Sequence, residues 1–296
     1  MPPRRRQRDE RAPEHRERVL RTPHLPPDRP QVVAHRGASA VKAEHTLGAY
    51  LAALDEGAEA LECDIRLTAD GHLVCVHDRD LLRTANRHGL VSTTELADLD
   101  RLDFASWKNP WADLDDEQEE PDPELVKVLT LRRLLETVAD YPRRVDLAIE
   151  TKHPTRFGGL VERRLVELLA TFGWTGPDSP VRVMSFSAMA LKRVEKLAPA
   201  LDLVFLIDAP GEWAIARAIG RRDWIAGPGV ALLRTEREAI RKIAERHRVH
   251  CWTVNTEADV ELCRELGVEA VITDRPGATL RYLVGPDGSV GTAPLS

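Results

Sequence analysis

Cysteine and aromatic residues are scarce in this 296-residue sequence, which has four cysteines and only 5% Phe, Trp and Tyr. No two cysteines form a Cys-x-x-Cys pair, which disfavours a zinc ribbon and a thioredoxin-type redox motif. Cys63, Cys75 and Cys251 lie inside apolar, strand-like runs, where cysteine behaves as a small buried hydrophobe. The sequence therefore excludes a disulfide scaffold and predicts buried, reduced thiols.

Long apolar runs are also missing. No stretch approaches the roughly 20 apolar residues that span a bilayer. Residues 1–30 lack the apolar segment of about 7–15 residues that marks a secretory signal. Together with the expected reduced cysteines, these absences predict a cytoplasmic protein without a transmembrane segment.

A basic excess exists only at the N-terminus. Residues 1–30 hold nine Arg against five Asp or Glu, a balance of +4, so the net charge of −6 leaves −10 for the remainder. The segment is rich in Arg and Pro and poor in apolar residues, which predicts a disordered basic tail. Because the body lacks a basic excess, nucleic acid is not an expected partner. Binding of nucleic acid by the tail alone stays open as an alternative.

The sequence does contain a regular alternation of short apolar runs and amphipathic segments, and 43% of its residues are hydrophobic. Seven or eight strand–helix units follow one another without a linker, which predicts parallel strands joined by right-handed crossovers. At this length the pattern favours an α/β fold, a (β/α)₈ TIM barrel. A doubly wound sheet is the alternative, but no Gly-x-Gly-x-x-Gly loop follows the first strand-like run.

The barrel domain is predicted over residues 31–285, with a small insertion after the third strand-like segment at about 79–127. Within the insertion, residues 113–124 hold eight Asp or Glu and no Lys or Arg, which indicates an exposed loop. This stretch lacks the glycine and the spacing of an EF-hand calcium loop. Residues 286–296 are predicted to form a flexible C-terminal tail.

Charged residues stand at the ends of the apolar runs, where a (β/α)₈ barrel carries its function. Glu62 and Asp64 are two apart on one predicted strand, so both side chains point to one face. Glu150 and Lys152 repeat this spacing on another strand. Three acids directed into a barrel must be paired or bound to metal, and three carboxylates suit one divalent cation, Mg²⁺ or Ca²⁺. The alternative is a static ion-pair network with Arg36 and Lys152.

Two histidines, His35 and His77, each end an apolar run and flank these acids in sequence. Such a pair is a candidate for general acid and general base. Arg36 and Lys152 supply positive charge for an anion that also binds the cation. Together these groups are typical of a phosphate-ester site.

An ordered set of short motifs resembles the glycerophosphodiester phosphodiesterase family. The set consists of His-Arg-Gly at 35–37, Glu44 with Thr46, Glu-x-Asp at 62–64, His-Asp at 77–78, Glu-x-Lys at 150–152, Ser185-Phe186, Trp252-Thr253-Val254-Asn255 and Thr273-Asp274-Arg275-Pro276. These motifs extend over roughly residues 31–280. Each motif alone is weak, whereas the ordered set is specific.

The resemblance implies a TIM barrel and a phosphoric diester hydrolase of lipid and phosphodiester metabolism. It implies that a small glycerophosphodiester is converted into sn-glycerol 3-phosphate and an alcohol, with the glycerol 2-hydroxyl attacking first to give a cyclic phosphate. His35 and His77 are implied as the acid–base pair. The implied metal ligands are Glu62, Asp64 and Glu150, and the implied substrate-binding residues are Arg36, Glu44, Lys152, Phe186 and Trp252.

One position departs from the family pattern, because Ala43 and His45 stand where Pro and Asn are usual around Glu44. An Asn stabilises such a loop by bonding to its own backbone, so the departure bears on loop shape and substrate preference. Two other functions stay open. One is a lysophospholipase D or sphingomyelinase-D-like enzyme on the same barrel, which needs an apolar groove for a lipid tail, and the other is a binding module without activity. Nothing in the sequence specifies an oligomeric state.

Overall fold

The apolar runs form the strands of one sheet in the computed structural model, which describes residues 29–109, 122–221 and 223–285. The strands are β1 Gln31–His35, β2 Ala60–Leu67, β3 Leu73–Cys75, β4 Asp146–Thr151, β5 Val181–Ser185, β6 Asp202–Ile207, β7 Ile225–Pro228, β8 His250–Cys251 and β9 Ala270–Thr273. All but β3 pair in parallel, in the order β7-β6-β5-β4-β2-β1-β9-β8. Parallel bridges from Ala226 to Val249 and from Gly229 to Trp252 join β7 to β8. The predicted (β/α)₈ barrel is thereby confirmed.

The third strand-like run does not belong to the ring. Strand β3 pairs antiparallel with β2, with Ile65 opposite Cys75. The connection contains the turn pair Asp70-Gly71, and Gly71 has a φ of +86°, a value that glycine adopts without steric cost. The two strands therefore form a hairpin, and the next barrel strand after β2 is β4.

Helices follow the strands along the chain. They are α1 Leu47–Asp55, α2 Leu82–Ala85, α3 Leu96–Leu99, α4 Pro123–Val126, α5 Leu131–Ala139, α6 Leu160–Thr171, α7 Ala188–Leu197, α8 Glu212–Ile219, α9 Val230–Thr235, α10 Arg237–Ala244, α11 Glu257–Glu265 and α12 Pro276–Val284. Hydroxyl side chains cap four of them by accepting a backbone N–H three residues on, and the caps are Thr46, Thr130, Ser187 and Thr256. Such caps satisfy orphan N–H groups at the helix start.

The insertion between β3 and α5 contains α2, α3, α4 and two short 3₁₀ turns. Each element is about one turn long, which explains why the sequence has no helical periodicity here. The insertion has a small core of its own, made of Val74, Val76, Leu81, Val91, Leu99, Phe104 and Val128. Residues 110–121, with most of the acidic stretch, lie outside the described residues.

The two predicted tails lie almost wholly outside the described residues, so the proposed domain bounds stay a prediction. Arg29 and Pro30 are described, and Arg29 makes two hydrogen bonds to Glu59, at 2.7 and 2.9 Å. These two residues therefore pack on the barrel. Within the described ranges, no helix is both long and apolar enough to cross a membrane, and all four cysteines are free and buried.

The barrel interior is layered because every second strand residue points inward. Its middle layer is apolar and contains Val33, Ala60, Ala148, Met184, Val204, Leu206, Ile225, Ala270 and Ile272. His35, Glu62 and Glu150 lie two positions after Val33, Ala60 and Ala148 on the same strands, so they also point inward. The carboxyl end of the barrel is therefore polar as a direct result of the strand period.

Candidate active site

The strand register brings the predicted site residues together at the carboxyl end of the barrel. His35 of β1 lies opposite Glu62 of β2, and Asp64 of β2 lies opposite Glu150 of β4. Glu62, Asp64 and Glu150 are all buried, and one ligand oxygen from each lies within 4.8 Å of the other two. The three carboxylates thus form a compact acidic triad on two adjacent strands.

Two cations contact the triad. Lys152 Nζ lies 2.8 Å from Oε1 of Glu150 and 3.3 Å from Oδ1 of Asp64. Arg36 Nε lies 3.1 Å from Oδ2 of Asp64, and the Arg36 backbone N–H donates to Oε2 of Glu62 at 3.0 Å. The ion-pair network considered from the sequence is therefore present. Three carboxyl groups therefore face two cations.

The pKa values of the triad reflect its burial and its neighbouring charges. Burial, reinforced by the charge of Asp64, raises the pKa of Glu62 well above its ordinary value and raises that of Glu150 to about 8. Burial also raises the pKa of Asp64, but the hydrogen bond from His45 and the charges of Lys152 and Arg36 outweigh it and hold that pKa well below its usual range. Asp64 is therefore the charged centre of the triad.

His35 is oriented by a carboxylate from the opposite end of the chain. Its Nδ1 lies 2.6 Å from Oδ1 of Asp274, which follows β9. Asp274 also accepts hydrogen bonds from Asn255 at 2.6 Å and from the Ser39 hydroxyl at 2.9 Å. Since a carboxylate only accepts, Nδ1 of His35 carries the proton, and its Nε2 is the free ring nitrogen.

His77 has the same arrangement on the other side of the barrel mouth. Its Nδ1 lies 2.8 Å from Oδ1 of Asp78, so Nε2 is again the free nitrogen. Arg66 of β2 donates two hydrogen bonds to the His77 carbonyl, at 2.7 and 2.9 Å. Burial lowers the pKa of the His77 imidazole, which favours its neutral form.

The loop from β1 to α1 contributes two residues that contact Asp64 of the triad, Arg36 and His45. Arg36 and His45 have φ values of +58° and +60°, which residues other than glycine rarely adopt. The His45 Nε2 lies 2.9 Å from Oδ2 of Asp64, and its Nδ1 lies 2.8 Å from the Tyr50 hydroxyl. The residue that departs from the family pattern is thus a buried hydrogen-bond partner of Asp64.

A cavity of about 230 Å³ opens at the barrel mouth. Its polar wall consists of His35, Arg36, Glu62, His77, Glu150 and Lys152, and its apolar wall consists of Met184, Phe186, Leu206, Trp252 and Ile272. Phe186 and Trp252 meet edge to face with ring centroids 5.4 Å apart. Nine of the ten residues proposed from the sequence either line this cavity or belong to the triad.

Glu44 is the exception, because it lies behind Arg36 rather than on the cavity wall. Its Oε1 accepts from Arg36 at 2.9 Å, and Arg83 of α2 binds both of its oxygens. Burial raises the pKa of Glu44, but the hydrogen bond from Arg83 and the charge of Arg36 outweigh it and lower that pKa to about 2. Glu44 is therefore ionised and orients Arg36.

Several orienting residues have no role that was predicted from the sequence. Asp78, Asn255 and Asp274 stood in the quoted motifs, and their position beside a strand end was the available signal. Arg66 lies inside a strand, and Arg83 lies in the irregular insertion. Nothing in the local pattern marked either one, because their partners are set by tertiary contacts.

Comparison with known proteins identifies the family. The sequence model of the glycerophosphoryl diester phosphodiesterase family matches residues 35–278. A probable glycerophosphodiester phosphodiesterase 1 of Mycobacterium tuberculosis is 44% identical over 86% of this chain and 92% of its own length. A glycerophosphodiester phosphodiesterase of Bacillus subtilis is 33% identical over 85% and 86%.

A solved structure of similar fold supports the same assignment. It is an Oleispira antarctica phosphodiesterase in complex with the product sn-glycerol-3-phosphate, with a TM-score of 0.73 and 26% identity. The alignment covers 86% of this chain and 97% of that one. Together with the barrel and the residues at its mouth, these matches show that the chain belongs to the glycerophosphoryl diester phosphodiesterase family and is a phosphoric diester hydrolase.

Proposed function

We propose that this protein hydrolyses a small glycerophosphodiester to sn-glycerol 3-phosphate and an alcohol, with His35 and His77 as the acid–base pair. One observation carries the proposal: both histidines line a single cavity, and each has its Nδ1 bound to a carboxylate. This leaves two free Nε2 atoms at one mouth, as a reaction with one proton to remove and one to deliver requires. The related Oleispira antarctica phosphodiesterase was crystallised with sn-glycerol-3-phosphate as its product.

The acidic triad fits one divalent cation, Mg²⁺ or Ca²⁺. Its donor set is three carboxylates with oxygens within 4.8 Å of one another, which is the ligand chemistry that hard cations prefer. Burial and the nearby charge of Asp64 raise the pKa values of Glu62 and Glu150, so a bound divalent cation would stabilise the ionised form of both carboxylates. When bound, a divalent cation would supply Lewis-acid stabilisation of negative charge on the phosphate oxygens.

The chain's own residues handle the substrate as follows. Arg36 and Lys152 attract the non-bridging phosphate oxygens. His77, neutral because burial lowers its pKa, accepts the proton of the glycerol 2-hydroxyl as its oxygen attacks phosphorus. His35, with a second proton on Nε2 and its Nδ1–H held by Asp274, donates that Nε2 proton to the leaving alcohol oxygen as the P–O bond breaks. A water molecule then opens the cyclic phosphate with the two histidines in exchanged roles.

The mixed walls of the cavity support a small substrate with an uncharged carbon skeleton. Phe186 and Trp252 face the polar wall across the cavity, so a glycerol backbone can pack on the rings while its phosphate meets the cations. The volume of about 230 Å³ is below the range of roughly 300–1,000 Å³ found for drug-sized ligands. A water-soluble diester such as glycerophosphocholine is therefore the substrate we propose.

Turnover by histidine variants tests the assignment. His35→Ala and His77→Ala are each expected to lower kcat for glycerophosphocholine by about 10²–10⁴-fold, which is the usual contribution of a general acid or base. The measurement is release of sn-glycerol 3-phosphate with Mg²⁺ or Ca²⁺ present. His72→Ala is the matched control, because His72 has a 55% exposed side chain and lies outside the cavity. If both test variants stay within a few-fold of wild type, the acid–base assignment is wrong.

The lipid-substrate alternative has one observation in its favour. Phe186 of the cavity wall is 42% exposed, and Met189, three residues further along the chain, is 58% exposed, so this segment presents apolar surface to solvent. A lysophospholipid would place its chain there. Faster cleavage of a lysophospholipid than of glycerophosphocholine by the same preparation would favour this alternative over the proposed substrate.

A further inference from the structure

One arginine of the insertion lies directly behind the proposed catalytic residues. Arg83 donates from Nε to Oδ2 of Asp78 at 2.6 Å, and from Nη1 and Nη2 to the two oxygens of Glu44 at 2.7 and 2.8 Å. Each of these carboxylates has a second partner on the cavity wall. Asp78 accepts from His77, and Glu44 accepts from Arg36. Arg83 is therefore connected to His77 and to Arg36 through one intervening carboxylate each.

The Arg83 guanidinium binds carboxylates at its edges and contacts an aromatic ring with its face. Its central carbon lies 5.4 Å from the centroid of the Trp107 ring. The Trp107 indole N–H in turn donates to the Phe104 carbonyl at 2.9 Å, within the small core of the insertion. This planar fork binds both oxygens of Glu44 and one oxygen of Asp78 through three separate N–H groups in a fixed geometry, which the single ammonium of a lysine does not reproduce.

Arg83 is a positioning residue rather than a substrate ligand, because most of its N–H donors already bind carboxylates. A guanidinium has five N–H groups, and three of those of Arg83 are bonded to carboxylates. Neither Arg83 nor its partners Glu44 and Asp78 line the cavity, whereas His77 and Arg36 do. Any effect of Arg83 on the reaction must therefore pass through these two carboxylates.

We propose that Arg83 connects the insertion to the active site: it holds Asp78 in its contact with His77 and Glu44 in its contact with Arg36. The inference rests on the proposed function, since Arg83 has no chemistry of its own. Without the guanidinium, both carboxylates lose their common partner, and His77 and Arg36 lose a fixed neighbour. Loss of such an orienting partner typically costs about 10–100-fold in activity, and a small misplacement of a catalytic group has a similar effect.

Arg83→Met tests the inference because it keeps an unbranched side chain and removes the charge and the donors. We expect kcat for glycerophosphocholine to fall about 10–100-fold. KM should stay within a few-fold, because Arg83 does not contact substrate and Arg36 keeps its own ion pairs to Glu44 and Asp64. We also expect the acid limb of the kcat/KM profile to move to higher pH, because Asp78 without its cation stabilises the His77 imidazolium more strongly. The other charged groups acting on His77 are Asp64, Arg36 and Lys152, with Arg66 on its carbonyl; among these, Arg36 is joined to Arg83 through Glu44.

Two further variants make the outcome decisive. Arg83→Lys keeps the charge without the fork, so we expect a smaller shift of the acid limb and little recovery of kcat. Arg87→Met is the matched control, because Arg87 is an exposed arginine of the same segment. Its kcat and its acid limb should match those of the wild type. If Arg83→Met has the kcat and the acid limb of the wild type, the inference is overturned. If Arg83→Met does not fold, wild-type values of both in Arg83→Lys overturn it. Absence of turnover in the wild type would instead contradict the proposed function.

Discussion

At the scale of single residues, the two His–carboxylate pairs arise in different ways. His77 and Asp78 are neighbours in sequence, whereas His35 and Asp274 are 239 residues apart. Both pairs leave Nε2 as the free ring nitrogen. The first pair can be read from a His-Asp dipeptide, but the second exists only because β1 and β9 are adjacent in the barrel.

The pH dependence of turnover is decided at this scale. Burial lowers the pKa of His77 below its ordinary value of 6.5, and the charges of Arg36 and Lys152 act in the same direction. Because the neutral imidazole is the proposed base, kcat/KM should fall only as pH drops through an apparent pKa below 6.5. Asp78→Asn removes a group that raises this pKa and should move the acid limb further down.

The measurement is a kcat/KM profile from about pH 4.5 to 8 for wild type and Asp78→Asn. The pKa of His77 governs the acid limb in both proteins if the assignment is right. A wild-type limb at or above pH 6.5, or a limb that Asp78→Asn moves upward, contradicts it.

At the scale of elements, the loop between β1 and α1 determines where Arg36 and Glu44 lie. Gly37 begins this loop after Arg36, with a φ of +89°. A Cβ on Gly37 would lie 2.6 Å from the backbone carbon of Ala49 in α1. The first turn of α1 and the loop therefore approach each other more closely than any side chain permits.

Gly37→Ala is expected to destabilise the protein by about 2–4 kcal/mol, because overpacking against backbone adds to the cost of a positive φ. The free energy of unfolding in urea measures the effect. Gly173→Ala is the matched control, because Gly173 has a φ of +72° but nothing within 4 Å of its ideal Cβ; it should lose only about 1–2 kcal/mol. Equal losses for the two variants would show that packing against α1 contributes nothing.

At the scale of the whole molecule, the distribution of charge matters more than its sum. The chain carries −6 overall, but Arg36 and Lys152 stand at the mouth beside the triad. At the other end of the interior, Arg182 is buried and donates to Gln31 at 2.9 Å, and burial lowers its pKa to about 10. Charged layers at both ends enclose the apolar middle layer, so net charge says little about the substrate.

Cation binding to the triad should stabilise the whole fold, because the three carboxylates come together only in the native state. With Mg²⁺ or Ca²⁺ at 100 times its Kd, the expected gain is about 2.7 kcal/mol. For a chain of this size, that gain corresponds to a Tm increase of about 5–10 °C.

Thermal unfolding of metal-free protein with and without each cation measures this gain. Glu62→Gln keeps the shape of the side chain and removes one ligand charge, so its Tm increase should be smaller at the same cation concentration. An increase of equal size in Glu62→Gln, or none in wild type with either ion, would contradict a cation site at the triad.

The alternation of short apolar runs and amphipathic segments predicted parallel βα units, and the chain length without a linker favoured a barrel over a doubly wound sheet. Period-two spacing likewise predicted that Glu62 and Asp64 share a face. The alternation alone did not distinguish the run after the Asp70-Gly71 turn, which pairs antiparallel with β2, from the barrel strands. Strand direction depends on the connection, and the short β2–β3 connection leaves room only for a hairpin.

The sequence by itself determined the fold class, the three acids, the two histidines and the family, because these depend on residue types and their order along the chain. Only the tertiary structure decided which carboxylate orients each histidine, why Glu44 lies behind Arg36, and how Arg83 of the insertion joins them. Those relations depend on side chains brought within 3 Å by strand register and loop packing. Hydrogen bonds act only at such distances, and no local pattern specifies them.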